Sequence, residues 1–169
     1  MKEAVRQRAR ELGFDDCRFT AATPPDHAAE FQNWLANDQH GEMNYLQRNA
    51  HKRVDPQQVL PGAKSIIMLA VSYTFSITGA LEHATRNTQH GLIARYARFA
   101  DYHDILAERL KQLTDFVNHL AGEGARSLWY VDTGPLLERD CAQRAGLGFI
   151  GKHTNLISRQ LGNWIFLSE

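Results

Sequence analysis

Along Tyr102–Ala121 the apolar residues Ile105, Leu106, Leu110, Leu113, Phe116, Val117 and Leu120 recur at three- and four-residue intervals. That stripe predicts a long amphipathic helix, and Gly122 and Gly124 mark its end. A charged helix is predicted over Lys2–Leu12, stopped by Gly13, and shorter helices over Asp26–Ala36 and Glu42–Arg48. Pro135–Ala145 reads as a helix with proline in its first turn. The strand pattern is clearest at Lys64–Phe75, where Ile66–Val71 is continuously apolar, as in a strand covered on both faces. Further strands are predicted at Asp16–Ala21, Leu92–Tyr96, Arg126–Val131, Thr154–Ser158 and Asn163–Leu167, whereas Ser76–His90 is polar and reads as a mobile loop. Helices alternating with short strands predict a layered α/β (α+β) fold.

Composition narrows what such a fold can do. The 169 residues carry 19 Lys+Arg against 19 Asp+Glu, so any grip on nucleic acid must be a local patch. The two cysteines, Cys17 and Cys141, cannot hold an iron–sulfur cluster by themselves and form no Cys-x-x-Cys pair. The six-residue run Ile66–Val71 is far short of a bilayer span, and the N-terminus lacks the apolar core of a signal peptide. One domain over residues 1–169, in the cytoplasm, is the simplest expectation. The chain stops just after an apolar strand with nothing to cap it, which suggests a piece of a longer protein.

Three places could carry chemistry. Asp132 stands between a predicted strand and a predicted helix, where an acid could exchange a proton with a ligand. The residues by themselves favour a plainer role, capping the helix ahead of Pro135. Gly146-Leu-Gly-Phe-Ile-Gly-Lys152 is glycine-rich, yet it precedes a strand instead of opening a helix and so matches neither standard phosphate loop. Its glycines imply a tight turn or close approach to a flat ligand. Arg95, Arg98, Asp101, Tyr102 and His103 form a polar cluster, with Asp101 the natural cap of the long helix. Two adjacent candidate ligands, Asp101 and His103, make a poor metal site, and no metal is expected. Lys52 and Arg53 could form a basic lip for a phosphate-bearing partner, and Cys141 reads as a buried apolar residue.

Several ordered motifs then resemble the epoxyqueuosine reductase family. They are Lys52-Arg53, Leu60-Pro-Gly-Ala-Lys-Ser65, Ala100-Asp-Tyr-His103, Tyr130-Val-Asp-Thr-Gly-Pro-Leu-Leu-Glu-Arg139, Ala145-Gly-Leu-Gly-Phe-Ile-Gly-Lys-His-Thr154 and Gly162-Asn-Trp-Ile-Phe-Leu167. Phe99 stands where the family pattern has glycine, and His153 where asparagine is commonest.

The resemblance implies an N-terminal cobalamin-binding domain, truncated before an iron–sulfur domain. Its fold would be a largely antiparallel sheet flanked by helices, like the cobalamin domain of reductive dehalogenases. It implies reduction of the epoxide of epoxyqueuosine in tRNA to queuosine, with base-off cobalamin as cofactor. Electrons would come from 4Fe-4S clusters on a separate domain or chain, since this chain cannot bind them. Asp132 would be the proton donor to the epoxide oxygen. Arg53, Ala94, Asp132, Lys152, His153, Leu156 and Leu167 would line the cobalamin site. The partners implied are tRNA carrying epoxyqueuosine and the iron–sulfur donor, with no membrane. The alternatives are a non-catalytic module that only holds cobalamin and a flavin reductase of related fold.

Overall fold

The computed structural model describes residues 1–74 and 93–169. The helices are α1 (Lys2–Glu11), α2 (Ala28–Ala36), α3 (Asn44–Arg48), α4 (Ala50–Arg53), α5 (Tyr102–Ala121) and α6 (Glu138–Arg144); the strands are β1 (Asp16–Ala21), β2 (Ser65–Ser72), β3 (Phe149–Ile150), β4 (Leu156–Ile157) and β5 (Ile165–Ser168). β2 is central in an antiparallel sheet of order β1-β2-β5, while β3 and β4 pair as a separate antiparallel ribbon.

The continuous apolar run in β2 is explained by the layers on either side of it. Ile66, Met68 and Ala70 point to one face and pack with Leu136, Cys141, Ala142, Leu147, Leu156 and Leu167. Leu69 points to the other and packs with Val5 and Ala9 of α1, Cys17 of β1 and Leu106, Leu110 and Leu113 of α5. The sheet therefore lies between α1 with α5 and α6 with the β3–β4 ribbon. Burying side chains on both faces of β2 stabilises the fold by about 2 kcal/mol for each large residue. Cys141 is in this core, as its helical spacing predicted, and burial pushes its thiol up to about 11.

α6 is tied to the start of α2 through the buried Asp140 carboxylate. It accepts the Asp26 and His27 backbone N–H groups at 3.2 and 3.0 Å and the His27 ring at 2.7 Å, and pairs with Arg144. The hydrogen bond to Asp140 holds the His27 pKa above its ordinary value.

Several expected elements come out differently. Residues 126–131 form no strand; among the described residues the cross-chain backbone pairing there is between Tyr130 and Glu169, which exchange bonds of 2.8 and 3.2 Å. An extended segment becomes a strand only when another backbone pairs with it, and among the described residues none pairs with residues 126–129. The helix predicted from Pro135 starts three residues later, at Glu138. Leu136 is held out of it because its side chain enters the core and its carbonyl accepts from Arg53 at 2.9 Å. Ile93 and Ala94 are not in a strand; a 3-10 turn over Arg95–Arg98 follows them, closed by the Ala97 N–H on the Ala94 carbonyl. The Ser76–His90 loop and Leu92 lie outside the described residues. Among the described residues no helix is long and apolar enough to cross a membrane.

Candidate active site

Asp132 is not a helix cap, because α6 begins six residues further on. Val131, buried in the core shared with α1 and α5, anchors the segment on one side. On the other, Gly134 is so close to Tyr130 and Glu169 that an added Cβ would lie 2.7 Å from the Tyr130 Cβ. Between them the chain turns within one residue: the Thr133 N–H donates to the Val131 carbonyl, and Asp132 takes φ +53°. A γ-turn of this hand is rare and strained, and it aims the side chain outward, 43% exposed.

The first turn of α5 receives that carboxylate. Asp101 caps the helix, accepting the His103 N–H at 2.9 Å and contacting the His103 Nδ1 at 2.8 Å. The Tyr102 hydroxyl donates to Asp132 Oδ2, and His103 Nε2 lies 3.8 Å from the same oxygen. The Tyr102 ring stacks on Phe166 of β5 at 3.9 Å and on His103 at 4.2 Å, with Tyr96 edge-on at 6.1 Å. Burial, and then the neighbouring Asp132 carboxylate, push the Tyr102 phenol well above its ordinary pKa. It is therefore a hydrogen-bond donor at neutral pH, able to stabilise a carboxylate that has just lost its proton.

Beside Asp132 lie two acidic residues that sequence reasoning missed, the half-buried Glu138 and the buried Glu169. Burial first, and the Asp132 charge second, push the Glu138 carboxyl up to about 7. Glu169 is raised well above the usual carboxylate range by burial and by the Glu138 charge, and both its oxygens lack hydrogen-bond partners among the described residues. Arg53 is the opposing charge acting on both. Expected at a basic lip, Arg53 instead turns inward from α4 and is 8% exposed; its Nη1 holds Leu136 while its Nε makes no hydrogen bond. The sequence signal for this cluster was Glu138, one position before Arg139 in a quoted motif, but nothing local says that a glutamate is buried.

The remaining candidates are distributed around this centre. Leu156 and Leu167 belong to the same core cluster as Leu136, 3% and 8% exposed, so that their side chains are packing groups. Lys152 and His153 are exposed on the β3–β4 loop, which Arg139 ties to α6 by donating to the Thr154 carbonyl at 2.6 Å. Ala94 is exposed and leads into the 3-10 turn that carries Tyr96. Phe99 is 65% exposed in extended backbone.

The chain's own packing requires two of the run's glycines. Gly146, at φ +79°, ends α6, with its N–H on Gln143 and the Leu147 N–H on Ala142. At Gly148 the backbone passes so close to β4 that a Cβ would lie 2.3 Å from the Ile157 carbonyl oxygen.

Among the described residues are cavities of about 360 and 280 Å³, and neither is lined by Asp132. The outer face offers a flat ligand the half-exposed Asp132 carboxylate, with the Tyr102 hydroxyl on it and the exposed Tyr96 ring edge-on to Tyr102.

The family model described as "Epoxyqueuosine reductase QueG, DUF1730" matches residues 53–133, a span that contains both Arg53 and Asp132. The epoxyqueuosine reductase of Gloeobacter violaceus is 41% identical over 167 residues, covering 98% of this chain and 50% of the relative. That of Escherichia coli is 33% identical over 170 residues, covering 100% and 44%. A crystal structure of epoxyqueuosine reductase with an epoxyqueuosine-modified tRNA-Tyr stem loop superposes with a TM-score of 0.79 at 31% identity, covering 99% of this chain and 44% of that one. The chain thus spans about half the length of the curated relatives it matches.

Proposed function

Because this chain belongs to the epoxyqueuosine reductase family, we propose that it is the part of such an enzyme that binds cobalamin and protonates the epoxide of epoxyqueuosine in tRNA. The observation that carries this reading is the outward-facing Asp132 carboxylate, held by the Tyr102 hydroxyl on an open aromatic face. The fold, on this reading, is one domain of the kind that binds cobalamin in reductive dehalogenases.

Base-off cobalamin, when bound, would supply the reducing equivalents at the epoxide carbon, replenished by an iron–sulfur donor on a further domain or chain. Arg53, Ala94, Lys152, His153, Leu156 and Leu167 are the residues proposed to hold it. Leu156 and Leu167 would do so as the packed floor of the site, and Lys152 and His153 as its exposed rim.

The part played by this chain's own residues is proton transfer. Breaking a C–O bond of the epoxide leaves negative charge on the oxygen, and protonated Asp132 delivers its proton there. The carboxylate that remains is stabilised by the Tyr102 hydroxyl, whose bond to an anion is stronger than its bond to the acid. With a balanced net charge, the tRNA is held by local contacts and by regions outside the chain.

The test is a visible absorption titration of the purified chain with cob(II)alamin, followed by epoxide reduction with chemically supplied electrons. Both the parent and Asp132→Asn should give a saturable base-off spectrum, and only the parent should reduce the epoxide. A folded chain that gives no spectral shift, or an Asp132→Asn variant that still reduces, would sink the proposal.

A further inference from the structure

The smaller cavity, of about 280 Å³, lies at the edge of the sheet, where β1 meets the β3–β4 ribbon. Its walls are Asp16 and Arg18 of β1, residues 146–149, and Ser158, Arg159 and Gln160. The period of two makes the β1 wall polar. Cys17 and Phe19 pack with the α1/α5 cluster, so Asp16 and Arg18 turn to the other face, which carries α6 and the ribbon.

Three charged side chains line this cavity. The Asp16 carboxylate is committed, since one of its oxygens accepts both Arg18 Nε and the Cys17 N–H at 2.8 Å. Arg18, 39% exposed, keeps its two terminal nitrogens, which make no hydrogen bond among the described residues. The exposed Arg159 makes no ion pair and no side-chain hydrogen bond among the described residues. Its backbone is fixed by the turn around it. The buried Ser158 Oγ accepts the Gln160 and Leu161 N–H groups at 3.3 Å, and Ser158 and Gly162 exchange backbone bonds of 2.9 Å. Two guanidiniums against one committed carboxylate give the cavity a positive excess, in a chain whose net charge is zero. Phe149, 47% exposed, adds an aromatic ring on which no other ring stacks among the described residues.

We propose that this cavity binds one nucleotide of single-stranded RNA, with its phosphate on Arg18 and Arg159 and its base on Phe149. Guanidinium groups meet phosphate oxygens with paired N–H donors, which an ammonium cannot do. The ring beside the cations distinguishes a nucleotide from free phosphate or an acidic peptide, because only the nucleotide uses both. The volume is below the roughly 300–1,000 Å³ of a cofactor cleft and suits a single unit of a polymer. That the polymer is RNA rests on the proposed function; the charge excess and the ring do not.

The experiment measures fluorescence anisotropy of a labelled, unmodified tRNA-Tyr stem loop at several salt concentrations, without cobalamin. Arg159→Gln, which removes no bond among the described residues, should flatten the slope of log K against log salt by about 0.7, and Arg18→Gln should do the same. Phe149→Leu should weaken binding by about 5- to 150-fold with the slope unchanged. Polyuridylate should displace the stem loop, and polyglutamate of equal charge should not. A parent that leaves the stem loop unbound, variants that bind it as the parent does, or equal displacement by polyglutamate would each overturn the proposal. So would inorganic phosphate that shifts the Arg18 and Arg159 Nε–H resonances while both variants still bind RNA like the parent, which would make this a site for the free anion. The three variants should all keep the base-off cobalamin spectrum. Loss of that spectrum in the parent would refute the proposed function and leave the RNA contact standing.

Discussion

The Tyr102 hydroxyl donates to the Asp132 carboxylate across 30 residues of sequence, joining the first turn of α5 to the strained turn that follows residues 126–131. Tyr102 is itself fixed by stacking on Phe166 of β5. The acid is thus positioned by a helix and a strand, although it sits in a loop.

That pairing can be read by titrating the phenol. Asp132→Asn removes the carboxylate charge and so weakens the bond that is the second-largest cause of the raised Tyr102 pKa, while burial, the largest, stays in place. Tyrosinate absorbance should therefore show one phenol ionising at lower pH in the variant than in the parent, still above an ordinary tyrosine. An unchanged curve would mean that the two side chains do not meet in solution.

Glu138 gives a pH dependence of stability. Its folded pKa of about 7 lies above its ordinary value, so its contribution is intact below about pH 4.5 and is lost as pH rises towards and through 7. The loss amounts to at most about 3 kcal/mol. Glu138→Gln should abolish that part of the decline, leaving the variant more stable than the parent at pH 8 in urea unfolding. Equal slopes against pH would show that the carboxyl ionises as it does in water.

Arg53→Met tests the same cluster from the other side. The sequence alone suggested an arginine on a basic lip. Buried as it is, Arg53 offsets the charges of Glu138 and Glu169 and holds the Leu136 carbonyl. Its loss should cost about 3 kcal/mol at pH 8, and less at pH 5, where Glu138 is neutral. A cost that does not vary with pH would assign the effect to the Leu136 bond.

Gly148→Ala should loosen the β3–β4 ribbon, because the new Cβ would lie 2.3 Å from a backbone oxygen that cannot rotate away. Destabilisation of roughly 1–3 kcal/mol is expected, seen as a lower urea midpoint with the same slope. A variant as stable as the parent would mean that the ribbon has room to move.

Elements determined by their own residues were legible in the sequence. The stripe and the Asp101 cap set α5 at Tyr102–Ala121, and alternation set β1 at Asp16–Ala21, as the chain folds. The segment ending at Val131 was misread as a strand because pairing depends on a distant neighbour, and the start of α6 because Arg53 holds Leu136 from 83 residues away. Asp132 and Tyr102 were each singled out in the sequence, the latter within a polar cluster, but not as partners, since a contact between α5 and a loop has no local pattern. The half-buried Glu138 and the buried Glu169 were missed for the same reason.

The positive φ of Asp132 governs how any substitution there must be interpreted. Asparagine and glycine enter that backbone region readily, whereas alanine does so at a cost of about 1 kcal/mol. An alanine scan would therefore combine two injuries at position 132, the lost acid and a loop pulled towards a different shape, and would overstate the chemistry. The asparagine variant keeps the backbone where it is and removes only the acid.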